Sequence, residues 1–447
     1  MVPFIITFAR VAQKMPGEFF NFAFGISVSQ RAGLGLVCLT FCVCMCATRA
    51  LGQGVLAPPP IDFSGIAPTA RTTGTNQPGE MPPQAPPAPE SPLLQLGPVQ
   101  MRPHLLYRFL YGDGIQARPG DQVKTAINEF YPGIFLGLGS HWVLDYTPTL
   151  RYYSSDKFRD TLDHAVALNG ASTYNRWNVG FSQSYTTSSQ PLVETGSQTD
   201  QEMFLTALNA TYQINSALSL ELGASQDFNF VDQTVQGSAL TDSRIWSTMD
   251  WLNYQFSPKL GAAIGVGFTY DNLSLGSDMI SEQVQGRVIW RPGEKLSLTV
   301  SGGFEYRQVL DSDAPDLISP VFGLSAQYHV FEPTTLSIGA SSVVNPSLYQ
   351  NEVDETTTIT ASLHQRLLKR LFLDVSGGYT HISYRQTFSG FSISREDDGT
   401  FFNTRLSTTF LKRGTAAVFY QTSENTSSDS TFAFTSNQVG FELGYRF

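Results

Sequence analysis

Hydrophobic and polar residues alternate with a period of two through most of this chain. In one segment Leu296, Leu298, Val300, Phe304 and Tyr306 share a face, and the opposite face carries Ser297, Thr299, Ser301, Glu305 and Arg307. A period of two places successive side chains on opposite faces of a β-strand. A Pro292-Gly293 turn joins this segment to another that starts at Ile280, so the pair predicts a β-hairpin.

The alternation recurs at Leu218 to Gly223 and at Leu260 to Asp271, and the connections between such segments alternate in length. The short turns are Ile214 to Ala217, Ser257 to Lys259, Pro292 to Glu294, Glu332 to Thr334, Leu368 to Arg370 and Lys412 to Gly414. The longer polar loops are Ser188 to Gln198, Asp232 to Asp242, Asp311 to Pro315, Asn345 to Asp354, Phe388 to Asp398 and Ser423 to Ser430. Short periplasmic turns alternating with longer external loops are typical of outer-membrane barrels.

These patterns predict an all-β fold: a transmembrane antiparallel up-and-down β-barrel over residues 101–447. We expect about 18 strands, with 16 as the alternative because the segment from Arg159 to Arg176 is ambiguous. The opening strand near His104 to Tyr111 and the last strand, Ser436 to Phe447, should both have a periplasmic end.

Aromatic residues form two sets that agree with this barrel. One set precedes the short turns and consists of Tyr212, Phe256, Trp290, Phe331 and Phe410. The other lies near the opposite strand ends and consists of Phe228, Phe268, Phe304 and Phe419. Two aromatic belts around an apolar band are typical of a barrel that spans a bilayer, whereas a soluble β-sandwich lacks them.

Composition narrows the class of protein further. The 447 residues carry a net charge of −10, and only 15% of them are charged, against about 25% in soluble domains. Beyond the first fifty positions we find no apolar run of about 18 residues, so a helical membrane protein is not expected. No stripe of Lys and Arg occurs, which argues against nucleic acid as a partner.

The first 52 residues predict a leader and a signal peptide. Arg31 precedes an apolar run from Gly33 to Cys46, and small residues follow at Ala50 and Gly52, so cleavage is expected before Gln53. A membrane anchor is the alternative, and translation from Met15 is a second open point. All four cysteines, Cys38, Cys42, Cys44 and Cys46, lie in this segment, which leaves none in the predicted mature chain.

Residues 53–100 are rich in proline, as in MPPQAPPAPESP, and predict a disordered periplasmic linker. Such a segment favours extended polyproline conformations. A plain disordered extension is the simpler interpretation. The alternative is a tether to a periplasmic partner or to the cell wall.

The C-terminal segment NQVGFELGYRF, with Phe441, Leu443, Tyr445 and Phe447, resembles the last strand of bacterial outer-membrane β-barrels. The run from His141 to Leu168 is similar to a family of β-barrel porins whose substrates are mostly unassigned. The resemblance implies residence in the outer membrane of a Gram-negative bacterium, contact with outer-membrane lipid, and recognition of the terminal aromatic residues by the barrel-assembly machinery.

No sequence motif for catalysis, metal binding or a cofactor is found. The six histidines, His104, His141, His164, His329, His364 and His381, are scattered and match no metal or phosphate motif. We therefore expect no cofactor and no enzymatic activity. A serine, a histidine and a carboxylate that come together only in the folded barrel would leave no motif in the sequence.

The face opposite the apolar rows should line a lumen with more carboxylates than guanidinium groups. Its predicted members are Glu221, Asp227, Asp271, Glu305, Arg307, Asp374, Glu442 and Arg446. A barrel of this size leaves room for water, so we expect a porin-like channel for passive diffusion of small hydrophilic solutes. The alternatives are an outer-membrane component of an export or surface-polysaccharide assembly, or a structural envelope anchor. No loop looks long enough to act as a plug.

Overall fold

The computed structural model describes residues 94–447 except 233–239, 311, 313–314, 389–390 and 412. About 80% of this part is β-strand. The strands are β1 Leu94–Leu96, β2 Val99–Arg118, β3 Asp121–Leu138, β4 Trp142–Tyr153, β5 Thr161–Tyr174, β6 Trp177–Ser188, β7 Gln201–Gln213, β8 Leu218–Val231, β9 Ser243–Ser257, β10 Leu260–Leu273, β11 Met279–Trp290, β12 Leu296–Val309, β13 Leu317–Phe331, β14 Thr334–Pro346, β15 Glu352–Leu368, β16 Leu371–Gln386, β17 Ser392–Phe410, β18 Gly414–Ser427 and β19 Phe434–Arg446.

Strands β2 to β19 form a closed ring of eighteen antiparallel strands. Each pairs with the next in the chain, and β19 pairs back with β2 from Asn437 opposite Asp113 to Arg446 opposite His104. The predicted closed barrel of 18 strands is confirmed. The ambiguous segment contains β5, so the 16-strand alternative is wrong.

The N-terminal predictions mostly lie outside the described residues. The signal peptide at 1–52 and residues 53–93 of the linker belong to this part of the chain. Within the end of the predicted linker, β1 forms a small hairpin with β2, with Leu94 opposite Met101. The barrel therefore has a short strand in front of the predicted start at residue 101.

The two ends of the barrel differ in the length of their connections. One end carries the turns after β3, β5, β7, β9, β11, β13, β15 and β17, together with β1 and the C-terminus. The opposite end, called the outer mouth below, carries longer loops such as residues 189–200, and a 3-10 turn at Ser430–Phe432. This asymmetry places the short turns in the periplasm. Among the described residues there is no helix of sufficient length and apolarity to cross a membrane.

The two faces of the wall match the alternation of the sequence. On β12, Val300 and Phe304 are 43% and 67% exposed, whereas Ser301 and Glu305 are 5% and 2% exposed. The exposed face points outward and is apolar, as at Ile264 and Val266 of β10. The buried face points inward and is polar. The core of this protein is therefore the lining of its own lumen.

The wall separates between β13 and β14 near the outer mouth. These strands pair from Phe331 opposite Thr334 only as far as Phe322 opposite Ser342. Beyond that point β14 pairs with β15 alone and turns into the barrel, where Val344 and Val353 pack with Leu273, Met279 and Val309. Pro320 lies in the released part of β13, where a residue without a backbone N–H removes one donor from the sheet.

Candidate functional site: the inner wall and the outer mouth

A chain of alternating charges follows the inner wall across the strands from β5 to β15. Because these residues face inward on consecutive or nearby strands, each carboxylate meets the guanidinium or imidazole of a neighbour. The shared feature is an N to O distance of 2.6 to 3.9 Å between successive members. In order, the members of this ion-pair chain are Asp163, Arg151, Glu129, Arg108, Glu442, Arg405 and Asp374, and His364 ends it as a hydrogen-bond partner of Asp374.

Arg108 is the most deeply enclosed cation of the chain. Its side chain is 1% exposed, between Glu129 on one side and Glu442 on the other. The guanidinium also lies 4.3 Å from the centre of the Phe419 ring. Phe419 therefore points into the barrel, and its assignment to an aromatic belt was wrong. The sheet register explains this, since Phe419 lies opposite the inward-facing Arg405.

Two further ion-pair groups occupy the other side of the lumen. Arg287 donates to Glu221 and to Asn253, each over 2.6 Å, and lies 4.2 Å from the Trp251 ring centre. Arg307 contacts Asp271 and Glu305, each over 2.7 Å. Arg307 also donates to the backbone carbonyl of Val344 over 3.0 Å, which holds the inturned end of β14.

The structure places all eight of the predicted lumen residues on the inner face. Glu221, Asp271, Glu305, Arg307, Asp374 and Glu442 belong to the ion-pair groups described above. Asp227 lies opposite Leu205 and Ile245, and Arg446 lies opposite His104. Sequence reasoning missed Arg108, Arg151, Arg287 and Arg405, because the inward face of their strands was not assigned. Their positive charges offset much of the expected acidity.

The predicted belt residues lie on the outer face. Tyr212, Phe256, Trp290, Phe331 and Phe410 are near the periplasmic turns, while Phe268 and Phe304 are near the outer mouth. Phe228 also faces outward, with its ring centre 5.2 Å from that of Trp246. On β19 the outward residues include Phe441, Leu443 and Tyr445, and Phe447 follows the strand with its ring 5.1 Å from that of Tyr445.

An apolar exterior between two aromatic belts, closed around a polar interior, places this wall in a lipid bilayer. The chain is a bacterial outer-membrane β-barrel. Closure is the deciding observation, because β19 pairs with β2 and each described strand from β2 to β19 pairs with a neighbour on both sides. The outer-membrane location follows from this architecture.

Of the comparisons with known proteins, only the comparison with solved structures finds a match. No family model and no curated protein matches the sequence. Pseudomonas aeruginosa OccK11 (OpdR) has 13% identity and a TM-score of 0.40, covering 78% of this chain and 96% of that one. A BenF-like porin from Pseudomonas fluorescens Pf-5 has 11% identity and a TM-score of 0.42, covering 78% and 99%. Such likenesses do not bear on the solute or on the role of any residue.

The loop at residues 189–200, called the inward loop below, crosses the outer mouth instead of extending from it. Most of its residues are buried, and Glu194 is 1% exposed. Its Oε1 accepts hydrogen bonds from Ser347 Oγ over 2.6 Å and from the Leu348 N–H over 2.7 Å. Leu348 follows β14, and β14 is eight steps from β6 around the ring of eighteen strands. The loop therefore reaches almost the opposite wall.

The inward loop is held at several other points of the rim. Leu192 packs with Leu240 and Leu348, and Val193 packs with Phe434. Arg395 Nη1 donates to the Glu194 carbonyl over 3.2 Å. From the sequence we expected no loop long enough to act as a plug, whereas this loop crosses the outer mouth. Loop length was a poor guide, because the twelve residues between β6 and β7 can cross the mouth when they run inward and contact the far rim.

The Glu194 carboxyl is the buried acid of the inward loop, whose other acid, Asp200, pairs with Arg159 at the base of the loop. Burial raises the pKa of Glu194 above its ordinary value. The two hydrogen bonds from Ser347 and Leu348 and the nearby Arg395 act in the opposite direction. Both hydrogen bonds reach the same oxygen, so Oε2 can carry a proton without the loss of either contact.

A cavity of about 350 Å³ lies on the rim beside the base of the inward loop. Its lining includes Asp156, Lys157, Arg159, Gln198 and Asp200. Arg159 Nη2 lies 2.5 Å from Asp200 Oδ1, so part of this charge is already paired. Among the described residues, no group of three His, Cys, Asp or Glu side chains is placed to hold a metal ion.

Proposed function

We propose that the chain is an outer-membrane channel for passive diffusion of small hydrophilic solutes, and that the inward loop sets the size limit at its outer mouth. The observation that carries the proposal is the Glu194 anchor, which holds this loop across a lumen with a polar wall. An eighteen-stranded barrel is wide enough for a water-filled path beside such a loop. A loop that narrows a wide lumen would separate solutes by size.

The wall charges support a mild preference for cations. The inner face carries more carboxylates than guanidinium groups, but most of the carboxylates described above lie beside an arginine. Paired charges attract solutes weakly, and charges separated by more than about 8 Å are screened at physiological salt. Selectivity for charge should therefore be weak, and size should be the stronger filter.

Single-channel conductance in planar bilayers tests the channel directly. We expect discrete conductance steps from the wild-type chain and larger steps from Glu194→Ala, because the variant loses both hydrogen bonds that the Glu194 side chain accepts from Ser347 and Leu348. Glu202→Ala is the matched control, since Glu202 lies on β7 next to this loop but faces outward. Its steps should equal those of the wild type.

A reversible crosslink separates loop position from other effects of substitution. Val193 and Phe434 pack against each other, so cysteines at both positions should form a disulfide only when the loop is inward. Oxidation should hold the conductance low, and reduction should restore fluctuations of the loop. A barrel that inserts and never conducts would overturn the proposal in favour of an export-assembly or anchoring role.

A further inference from the structure

Three polar side chains meet on the outer face of the barrel, away from the lumen. His381 and Ser383 lie two residues apart on β16 and therefore share a face. Asp398 of β17 is the direct cross-strand partner of His381. The outward face of β16 also carries Tyr379, which is 39% exposed.

Hydrogen bonds connect these groups in series. Ser383 Oγ lies 3.2 Å from His381 Nε2, and His381 Nδ1 lies 2.9 Å from Asp398 Oδ1. An imidazole with its proton on Nδ1 donates to the carboxylate and accepts the serine proton at Nε2. Tyr379 donates to the same Asp398 oxygen over 2.5 Å, which fixes the carboxylate. A nucleophile is thus hydrogen-bonded to a base, and the base to a group that orients it.

We propose that Ser383, His381 and Asp398 form a serine hydrolase site on the lipid-facing side of the barrel, acting on acyl esters of amphipathic molecules. This activity goes beyond the proposed channel and does not depend on it, because the site and the lumen lie on opposite faces of the same wall. Ser383 and His381 are the catalytic residues. Asp398 and Tyr379 are positioning residues.

The depth of the site selects the class of substrate. Tyr379, Phe402 and Tyr420 are exposed on the outward faces of β16, β17 and β18 and form the outer aromatic belt there. Aromatic belts lie at the level of the lipid headgroups. Ser383 is 6% exposed and lies two outward positions beyond Tyr379, and one beyond His381, toward the outer mouth. The site is therefore at the outer edge of the headgroup region, and a substrate must raise its ester to that level.

A cation beside the site fits a phosphate-bearing headgroup. Arg385 is the next outward residue of β16 after Ser383, and its Nε lies 3.1 Å from Glu355 Oε2. A guanidinium favours phosphate because it offers several donors in a planar arrangement. The substrate we infer is therefore an acyl ester with its chain in the outer leaflet and an anionic headgroup above it.

The reaction follows from these roles. His381 Nε2 takes the hydroxyl proton while Ser383 Oγ attacks the ester carbonyl carbon. The bond from that carbon to the alcohol oxygen then breaks, and the alcohol leaves with the proton from His381. Water, activated by the same nitrogen, hydrolyses the acyl-serine and releases a carboxylic acid. One ester and one water give one acid and one alcohol.

The test uses the full-length folded barrel in mixed micelles of detergent and phosphatidylglycerol, with release of fatty acid as the readout. A fluorophosphonate probe, which labels activated serines, gives a second readout that needs no lipid substrate. We expect turnover and labelling in the wild type, and both should be lost in Ser383→Ala. His381→Asn should reduce turnover by about 10³-fold or more.

The positioning role of Asp398 has its own signature. Asp398→Asn should lower kcat by about 10³-fold or more, because the His381 imidazole would no longer be held in its orientation. KM should change little, because Asp398 does not bind the substrate. Labelling of this variant by the probe should slow to a similar degree. A residue that only supported the fold would change the heat-modifiable mobility of the barrel instead, so mobility is measured in every variant.

Two matched variants control for the loss of a serine or a histidine elsewhere in the wall. Ser376→Ala removes a serine from the inner face of the same strand. His164→Asn removes an outward histidine that is bonded to the Tyr146 hydroxyl over 3.0 Å. Both should retain full turnover. A folded wild type that neither releases fatty acid nor reacts with the probe would overturn the proposal, as would a Ser383→Ala variant with unchanged turnover.

Discussion

Val300 offers the sharpest test of which way the barrel wall faces. It lies midway between Leu296 and Phe304 on β12, and its cross-strand partners, Val288 and Leu324, are apolar as well. Val300 is 43% exposed on the outer face, at the centre of the apolar band. Arginine at the bilayer midplane costs about 2 to 4 kcal/mol on the lipid face of a barrel. Val300→Arg should therefore lower the free energy of unfolding by about that amount.

The control must be an inward neighbour with room for a long side chain. Alternation alone would favour Ser301, but Ser301 is 5% exposed and lies opposite Arg287. Arginine there would meet a like charge and be overpacked, at a cost of about 1 to 3 kcal/mol. Thr299 is the better control, because it is less buried and lies opposite Ile289 and Ser325. Thr299→Arg should cost little.

Reversible urea unfolding of the barrel in lipid vesicles, followed by heat-modifiable mobility and tryptophan fluorescence, measures all three variants. Val300→Leu is included, since it conserves the apolar surface and should leave stability nearly unchanged. The expected order of destabilisation is Val300→Arg, then Ser301→Arg, then Thr299→Arg. An equal loss of unfolding free energy in Val300→Arg and Thr299→Arg would refute the assigned faces of β12, and with them the lipid-facing position of Leu296, Val300 and Phe304.

Three other outcomes are expected. Because burial raises the pKa of Glu194, the carboxyl of the folded loop keeps its proton at pH values where that of an unfolded loop has lost it. The anchor should therefore weaken as pH rises above about 4.5. The time that the channel spends open should grow with pH in the wild type but not in Glu194→Gln, and a wild type without this pH dependence would contradict the prediction. Reversal potentials across a salt gradient should show a mild preference for cations. The preference should move toward anions when Glu221, Glu305 and Glu442 are all replaced by Gln, because Arg287, Arg307 and Arg405 each lose one paired carboxylate. An anion-selective wild type would contradict the charge argument. N-terminal sequencing of outer-membrane fractions should find a mature chain beginning near Gln53, whereas an intact leader in the inner membrane would exclude cleavage.

The barrel itself was determined by local features of the sequence. Alternation at Leu260 to Asp271 fixes which side chains share a face, because a strand has no other period. Turns such as Pro292-Gly293 fix where one strand ends and the next begins. These signals are short in range, so they could be read without any partner strand, and they led to the correct architecture and strand number.

Only the tertiary structure decided how the faces are used. Sequence placed Glu221 and Glu305 on the inner wall, but their pairing with Arg287 and Arg307 depends on the register between strands. The inward loop was missed for the same reason, since its anchor joins Glu194 to Ser347 and Leu348 across the ring. His381 and Ser383 are close in sequence, yet Asp398 reaches them only through the pairing of β16 with β17. Period-two patterning specifies a face, whereas contacts between distant segments arise only when the chain closes on itself.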